Sequence, residues 1–113
     1  MDCLFCRIVS GDVPASIVYE SETVVGFKDV HPQAPVHVLI VPKGHIPSFL
    51  DLSTEDGVLW GDIRRAVQEV ARQFSVEKSG FRLVINNGAD PGQSVDHLHV
   101  HFLAGRSLGW PPG

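Results

Sequence analysis

The stretch His97-Leu98-His99-Val100-His101-Phe102-Leu103 decides how this chain is read. Imidazole alternates with an apolar side chain, and a period of two is the period of a β-strand. In an extended segment the three histidines share one face, with successive ones starting about 6.6–6.8 Å apart. Leu98, Val100 and Phe102 then point into a core. Polar rows on half-buried strands usually mix Thr, Lys, Glu and Ser. Three rings that titrate near neutral pH point instead to nucleophilic, acid–base or metal chemistry. The residues leading into the strand are Asn86-Asn87-Gly88-Ala89-Asp90-Pro91-Gly92-Gln93-Ser94. Such a loop is ordinary turn composition, but it also offers backbone N–H, amide and hydroxyl donors suited to phosphate oxygens.

Working outward, Phe81-Arg82-Leu83-Val84-Ile85-Asn86 reads as the strand before that loop. Val36-His37-Val38-Leu39-Ile40-Val41 is an almost continuous apolar, β-branched run, the pattern of a central strand covered on both faces. Residues 16–20 and 23–27 flank the polar Ser21-Glu22 and read as a hairpin. Ser53, with an acidic residue three positions on, caps a helix that runs to about Phe74. Leu59, Ile63, Ala66, Val67, Val70 and Phe74 form its buried stripe, and Arg64, Arg65, Gln68, Glu69 and Arg72 its wet side. Cys3 to Ser10 reads as a short helix ending at Gly11, outside the main hydrophobic pattern. The plan is α+β: an antiparallel sheet of about five strands with two helices.

A chain of 113 residues, 43% of them hydrophobic, fits a single domain over residues 1–113. Its net charge is −4 and its basic residues are scattered, so nucleic acid is not an expected partner. Nothing in the chain reads as a signal peptide or a membrane-length apolar run, so a cytoplasmic protein is expected, with no membrane partner. Cys3 and Cys6 are the only cysteines. A lone C-x-x-C pair suits a metal or free thiols better than a disulfide framework.

His97-x-His99-x-His101 with its Gly92-Gln93-Ser94 lead-in resembles the signature of the histidine triad (HIT) superfamily of nucleotide hydrolases and transferases. Cys3-Leu4-Phe5-Cys6 with Ile8-Val9-Ser10-Gly11 is similar to the N-terminal helix of that family. Phe27-Lys28-Asp29-Val30 followed by Pro32, Ala34, Pro35 and His37 is similar to its nucleoside-binding strand and turn. Val41-Pro42-Lys43-Gly44-His45 and the closing Trp110-Pro111-Pro112-Gly113 resemble the Hint branch, the purine nucleoside phosphoramidases. The resemblance implies a HIT-like fold and a two-fold homodimer, formed through residues 54–74 and 81–86. It also implies hydrolysis of purine nucleoside 5′-phosphoramidates through a covalent nucleotidyl-histidine, with no cofactor needed for catalysis.

Roles follow from chemistry and resemblance together. His99, with a histidine on either side, is best placed to be held in one tautomer and is the expected nucleophile; the resemblance gives the same assignment. His101 and Ser94 would bind the non-bridging phosphate oxygens, with Asn86 and the Gly92-Gln93 backbone donating further hydrogen bonds. His97 and His45 would form a proton relay to the leaving amine. The resemblance makes Asp29 the acceptor for the ribose hydroxyls, and Phe27 and Val30, with Ile8, an apolar slot for the base. His37 is expected to orient a neighbour beneath the site, and His31 to be an exposed loop residue. Some bacterial relatives with the cysteine pair bind zinc through it together with histidines at the positions of His45 and His97. The residues alone leave a Cys₂His₂ zinc site and a helix with two buried thiols both open. Asp96 stands where relatives often carry an aromatic residue, and from there it could reach His97 and favour its imidazolium. Two other readings stand beside the phosphoramidase. One is a dinucleoside polyphosphate hydrolase of the Fhit kind, against which the Trp-Pro-Pro-Gly tail argues. The other is a non-catalytic zinc- or nucleotide-binding interaction protein. A galactose-1-phosphate uridylyltransferase is disfavoured because position 101 is not Gln.

Overall fold

The computed structural model of the chain describes residues 3–113. Strands β1 (Ile17–Glu20), β2 (Val24–Lys28), β3 (Val36–Pro42), β4 (Phe81–Val84) and β5 (Val100–Ala104) form one antiparallel sheet in the order β1-β2-β3-β5-β4. Helices α1 (Leu4–Ser10) and α2 (Gly57–Gln73) complete the expected α+β plan. β3 lies at the centre because both of its faces are apolar. Val38 and Ile40, with Val24, Val100 and Phe102, pack on Ile63, Ala66, Val67 and Val70 of α2. Leu39 and Val41, with Val25 and Phe27, pack on Cys3 and Phe5 from the other side. So α1, which the hydrophobic pattern left out, covers the second face of the sheet. Its one fully buried side chain, Phe5, contributes roughly 1.5–3 kcal/mol.

The N-terminal cap of the long helix has the expected reciprocal form. Ser53 Oγ accepts from the Glu55 N–H at 3.2 Å, and Asp56 Oδ2 accepts from the Ser53 N–H at 2.8 Å. The first turn, Thr54–Asp56, is 3₁₀, and the α-helix begins at Gly57.

The last strand differs from expectation: it begins at Val100 rather than His97. In the β3–β5 register Ile40 faces Val100, so its continuation would pair Val41 with His99 and then Pro42 with Leu98. Proline has no N–H to continue the ladder. Its carbonyl is taken by the His97 ring at 2.8 Å, and the Leu98 N–H turns to the Ile46 carbonyl. β4 likewise ends at Val84, opposite His101, so Ile85 and Asn86 leave the sheet earlier than expected. The alternation outlasts the strand. Leu98, Val100 and Phe102 are buried, while the His97 and His99 rings lie against Phe5 on the α1 side. Among the described residues no helix is long and apolar enough to cross a membrane.

Candidate active site

A carbonyl oxygen only accepts hydrogen bonds, so a ring nitrogen facing one must carry a proton. His99 is buried and its Nδ1 lies 2.7 Å from the His97 carbonyl. Nδ1 is therefore a protonated nitrogen, and in the neutral ring Nε2 keeps its lone pair. The edge of Phe5 packs on the same ring, with centroids 5.1 Å apart and planes at 84°.

His97 is fully buried, and its Nε2–H donates to Pro42 O at 2.8 Å. Its Nδ1 lone pair then faces Cys3 Sγ at 3.4 Å and Cys6 Sγ at 3.6 Å. Both ring nitrogens are thus committed away from His99, which His97 meets through its own carbonyl. His45 turns Nδ1 to Cys6 Sγ at 3.4 Å, with its ring edge-on to His97 at 5.1 Å. This geometry does not provide the expected ring-to-ring relay from His45 and His97 to His99, because the sulfurs of Cys3, which caps α1, and of Cys6 hold both imidazoles toward themselves. Asp96 does not support an imidazolium at His97 either. Asp96 is exposed, and burial lowers the His97 pKa, with His45 and His99 adding to the effect and the Pro42 carbonyl opposing it.

At the other flank the His37 Nδ1 accepts the Gln33 N–H at 3.0 Å. Neutral His37 must then carry its proton on Nε2, which donates to His101 Nδ1 at 2.9 Å and lies 3.4 Å from Asp29 Oδ2. His101 Nδ1 is therefore an acceptor, and its proton sits on Nε2, on the ring edge away from His37. The His99 and His101 centroids are 5.1 Å apart. Burial lowers the pKa of His37, opposed by Asp29. Burial, with His99 and His37 as neighbours, lowers His101 to about 4. Both rings are neutral at pH 7. Asp29, His37 and His101 also cluster closely enough to suggest a metal site, but a protonated His37 Nε2 is no ligand.

Cys3, Cys6, His45 and His97 bring four donor atoms within 4.8 Å of one another. A tetrahedral zinc with bonds of about 2.3 Å to sulfur and about 2.0–2.1 Å to nitrogen has a sulfur–nitrogen edge of about 3.5 Å. The observed separations are 3.4, 3.4 and 3.6 Å. The His97 Nε2–H bonded to the Pro42 carbonyl supplies the outer-shell contact that fixes a metal-binding tautomer. The donor set fits a zinc ion.

The loop before β5 serves partly to hold itself. The Gly92 and Gln93 N–H groups, expected to face phosphate, donate instead to the Ala89 and Gly88 carbonyls at 3.0 Å each. A tight turn with Gly92 at φ +88° consumes them. The Gln93 side chain ties the loop to Pro47 O at 2.7 Å and to Val95 O. Ser94 is exposed and Asn86 half-buried, so their side chains remain available. At the nucleoside end Phe27 is buried under Phe5 at 5.5 Å, whereas Val30 stands 84% exposed. The two do not close a slot. Asp29 Oδ1 accepts the His31 N–H at 2.8 Å, and His31 is an exposed turn residue. Sequence reasoning missed Phe5, Gln33 and Arg106, whose contacts join segments far apart in the chain.

Comparison with known proteins gives the chain its family. The model of the HIT domain matches residues 10–108, which include the triad but begin after the cysteine pair. The chain is 48% identical over 112 residues to an uncharacterized HIT-like protein of Synechocystis, covering 99% of this chain and 97% of that one. It is similar to the crystal structure of a HIT family hydrolase from Legionella pneumophila, with TM-score 0.96 and 41% identity, covering 99% of this chain and 100% of the other. It is also similar to a histidine triad protein from Clostridium difficile, with TM-score 0.93 and 40% identity, covering 96% of this chain and 95% of the other. With the family model matched over most of its length and its sheet reproduced in these structures, the chain belongs to the HIT domain family.

Proposed function

We propose that the chain hydrolyses purine nucleoside 5′-phosphoramidates through a nucleotide held covalently on His99. The observation that carries this reading is that two adjacent rings face opposite partners: His99 Nδ1 faces a carbonyl and His101 Nδ1 faces His37 Nε2, so in the neutral rings His99 Nε2 bears a lone pair and His101 Nε2 a proton. Nε2 of His99 bonds to the α-phosphorus as the bond to the amine breaks, and the amine leaves with a proton taken from water. A second water then breaks the P–Nε2 bond, giving the nucleoside monophosphate, the neutral ring and the proton that balances the first step. His101 Nε2–H and the Ser94 and Asn86 side chains donate to phosphate oxygens as charge builds on them. Asp29 accepts from the ribose hydroxyls. The base lies between the Phe27–Ile8 side and the open wall of Val30. The Trp110-Pro111-Pro112-Gly113 tail favours an amine over a second nucleotide as leaving group. A fluorogenic adenosine phosphoramidate tests the reading. Turnover abolished in His99→Ala supports it, turnover independent of His99 refutes it, and preference for a dinucleoside polyphosphate moves the chain to the Fhit-like alternative.

The same reading gives Cys3, Cys6, His45 and His97 a zinc ion. In a closed four-ligand site zinc supplies structural cross-linking, and these residues would tie α1 to the histidine row. Metal analysis of the purified protein beside Cys3→Ser tests it: one zinc per chain, lost in the variant, is expected. A two-fold homodimer completes the proposal. β4 is an edge strand whose Phe81 and Leu83 are 40% and 44% exposed, and unpaired apolar edges invite a second copy. Leu83 borders an apolar cleft of about 250 Å³ with Trp60, Ile63, Val67 and Ile85. Light scattering should give twice the chain mass, and Leu83→Arg a monomer; a monomeric wild type at micromolar concentration contradicts it.

A further inference from the structure

Outside the histidine row, an exposed arginine reaches back across the chain. Gly105 takes φ +95° where a Cβ would stand 2.9 Å from Pro35 Cβ. The chain can therefore turn tightly after β5 and lay Arg106 over the loop before β3. Arg106 Nε and Nη2 both donate to the Gln33 carbonyl, at 3.2 and 2.8 Å, and Nη1 donates to Ser107 O at 2.9 Å. The Gln33 side chain donates to His31 O at 3.0 Å. The Gln33 N–H, held by these contacts, is the donor that occupies His37 Nδ1.

We propose that Arg106 is a positioning residue for His101: by fixing Gln33 it locks His37, and through it His101, in the tautomer that presents an N–H to phosphate. The contact spans 73 residues of sequence. Two neutral arrangements of the His37–His101 pair are chemically possible. In the one that the Gln33 N–H selects, His37 Nε2–H donates to His101 Nδ1, and His101 keeps a proton on Nε2. In the other, His37 carries its proton on Nδ1, His101 donates from Nδ1, and a lone pair of His101 faces the substrate. That arrangement would set two lone pairs, from His99 and His101, against an anionic phosphate and remove a donor from the site. A proton on His37 Nδ1 would also collide with the Gln33 N–H. Asp29 Oδ2, 3.4 Å from His37 Nε2, favours the same tautomer. Once ribose hydroxyls engage that carboxylate, Gln33 is the remaining constraint. The lock also prevents His101 from giving up its Nε2 proton. His37 could not replace it without becoming an imidazolate, so His101 acts as a fixed hydrogen-bond donor and not as a proton-transfer acid.

The link to catalysis rests on the proposed phosphoramidase reading, but the tautomers can be read without any substrate. The experiment records long-range ¹⁵N–¹H correlations of the imidazole rings in the full-length, uniformly labelled protein. Wild type, Arg106→Gln, Gln33→Pro and the control Gln33→Ala, which keeps the N–H, are compared. In wild type and Gln33→Ala, Nδ1 of His37 and of His101 should both appear unprotonated. In Arg106→Gln and Gln33→Pro, His101 should gain a population protonated on Nδ1. On the adenosine phosphoramidate, kcat should fall about tenfold in these two variants, with KM little changed, as expected for a partly lost oxyanion donor. Arg106 is exposed, so its substitution keeps the test alive should Gln33→Pro fail to fold. Ring nitrogens unchanged from wild type in a folded Arg106→Gln overturn the lock. A tautomer shift in a protein whose wild type cleaves no phosphoramidate upholds the lock and overturns the reaction.

Discussion

His97 and His101 stand at equal sequence distance on either side of His99, yet the fold holds them in opposite ways. His97 is fully buried and gives Nε2–H to a backbone carbonyl, so its Nδ1 lone pair faces two thiols. His101 Nδ1 accepts a hydrogen bond from His37 Nε2–H, so its free edge is a donor. Between them His99 gives its Nδ1 proton to a carbonyl and keeps a free lone pair on Nε2. On the proposed reading, three identical side chains would serve as a zinc ligand, a nucleophile and an oxyanion donor. The role of each is set by what its other nitrogen faces.

Breaking the row at its centre has the largest effect. His99→Ala should lower the rate of phosphoramidate cleavage by at least about a thousandfold, the scale seen when a covalent nucleophile is removed, as measured by single-turnover kinetics. At the donor flank, His101→Ala should cost about 10²–10³ in kcat, and His101→Gln, which restores an N–H donor, should recover part of it. An equal loss in the two variants would mean that the ring does more than donate. At the thiol flank, Cys6→Ser should abolish zinc binding and lower stability by about 3 kcal/mol in thermal or denaturant unfolding, while leaving the His101 tautomer unchanged. Arg106→Gln should do the converse, with zinc content unchanged. Cross-talk between the flanks would contradict their separation.

The smallest effect is on pH. The His101 pKa is lowered to about 4 from 6.5 by burial, with His99 and His37 adding to the shift. The unfolded chain therefore takes up this proton first. Stability rises with pH across this window, and it is lost as pH falls from about 6.5 to about 4. Below that the contribution is constant. Allowing for screening of a half-buried ring, the loss is about 1–2 kcal/mol. His101→Asn should flatten that part of the stability profile in denaturant titrations.

Much of this was legible in the sequence. The two-residue alternation placed Leu98, Val100 and Phe102 inside, and the 3–4 spacing found Ile63, Ala66, Val67 and Val70. The Ser53 cap was readable because it is local. The end of β5 was not, since it depends on which strand pairs with it: Pro42, opposite Leu98, stops the ladder. The role of α1 was hidden because a seven-residue helix with one buried ring has too short a pattern to read. Gln33 acts through its backbone N–H, which no side-chain pattern reveals, and Arg106 reads as one more surface charge until the fold brings it to Gln33. Residue types fixed what chemistry was available, but the proton positions came only from partners distant in the chain.

The central claim is that the His99 Nε2 lone pair, held free by the Nδ1–carbonyl bond, forms the bond to phosphorus. Quenching the wild-type protein during turnover of an adenosine phosphoramidate and sequencing its peptides by mass spectrometry tests it directly. The account predicts one adenylate on the peptide carrying the triad, localised to the ring at position 99. An adenylate on His101 or His45 would contradict it.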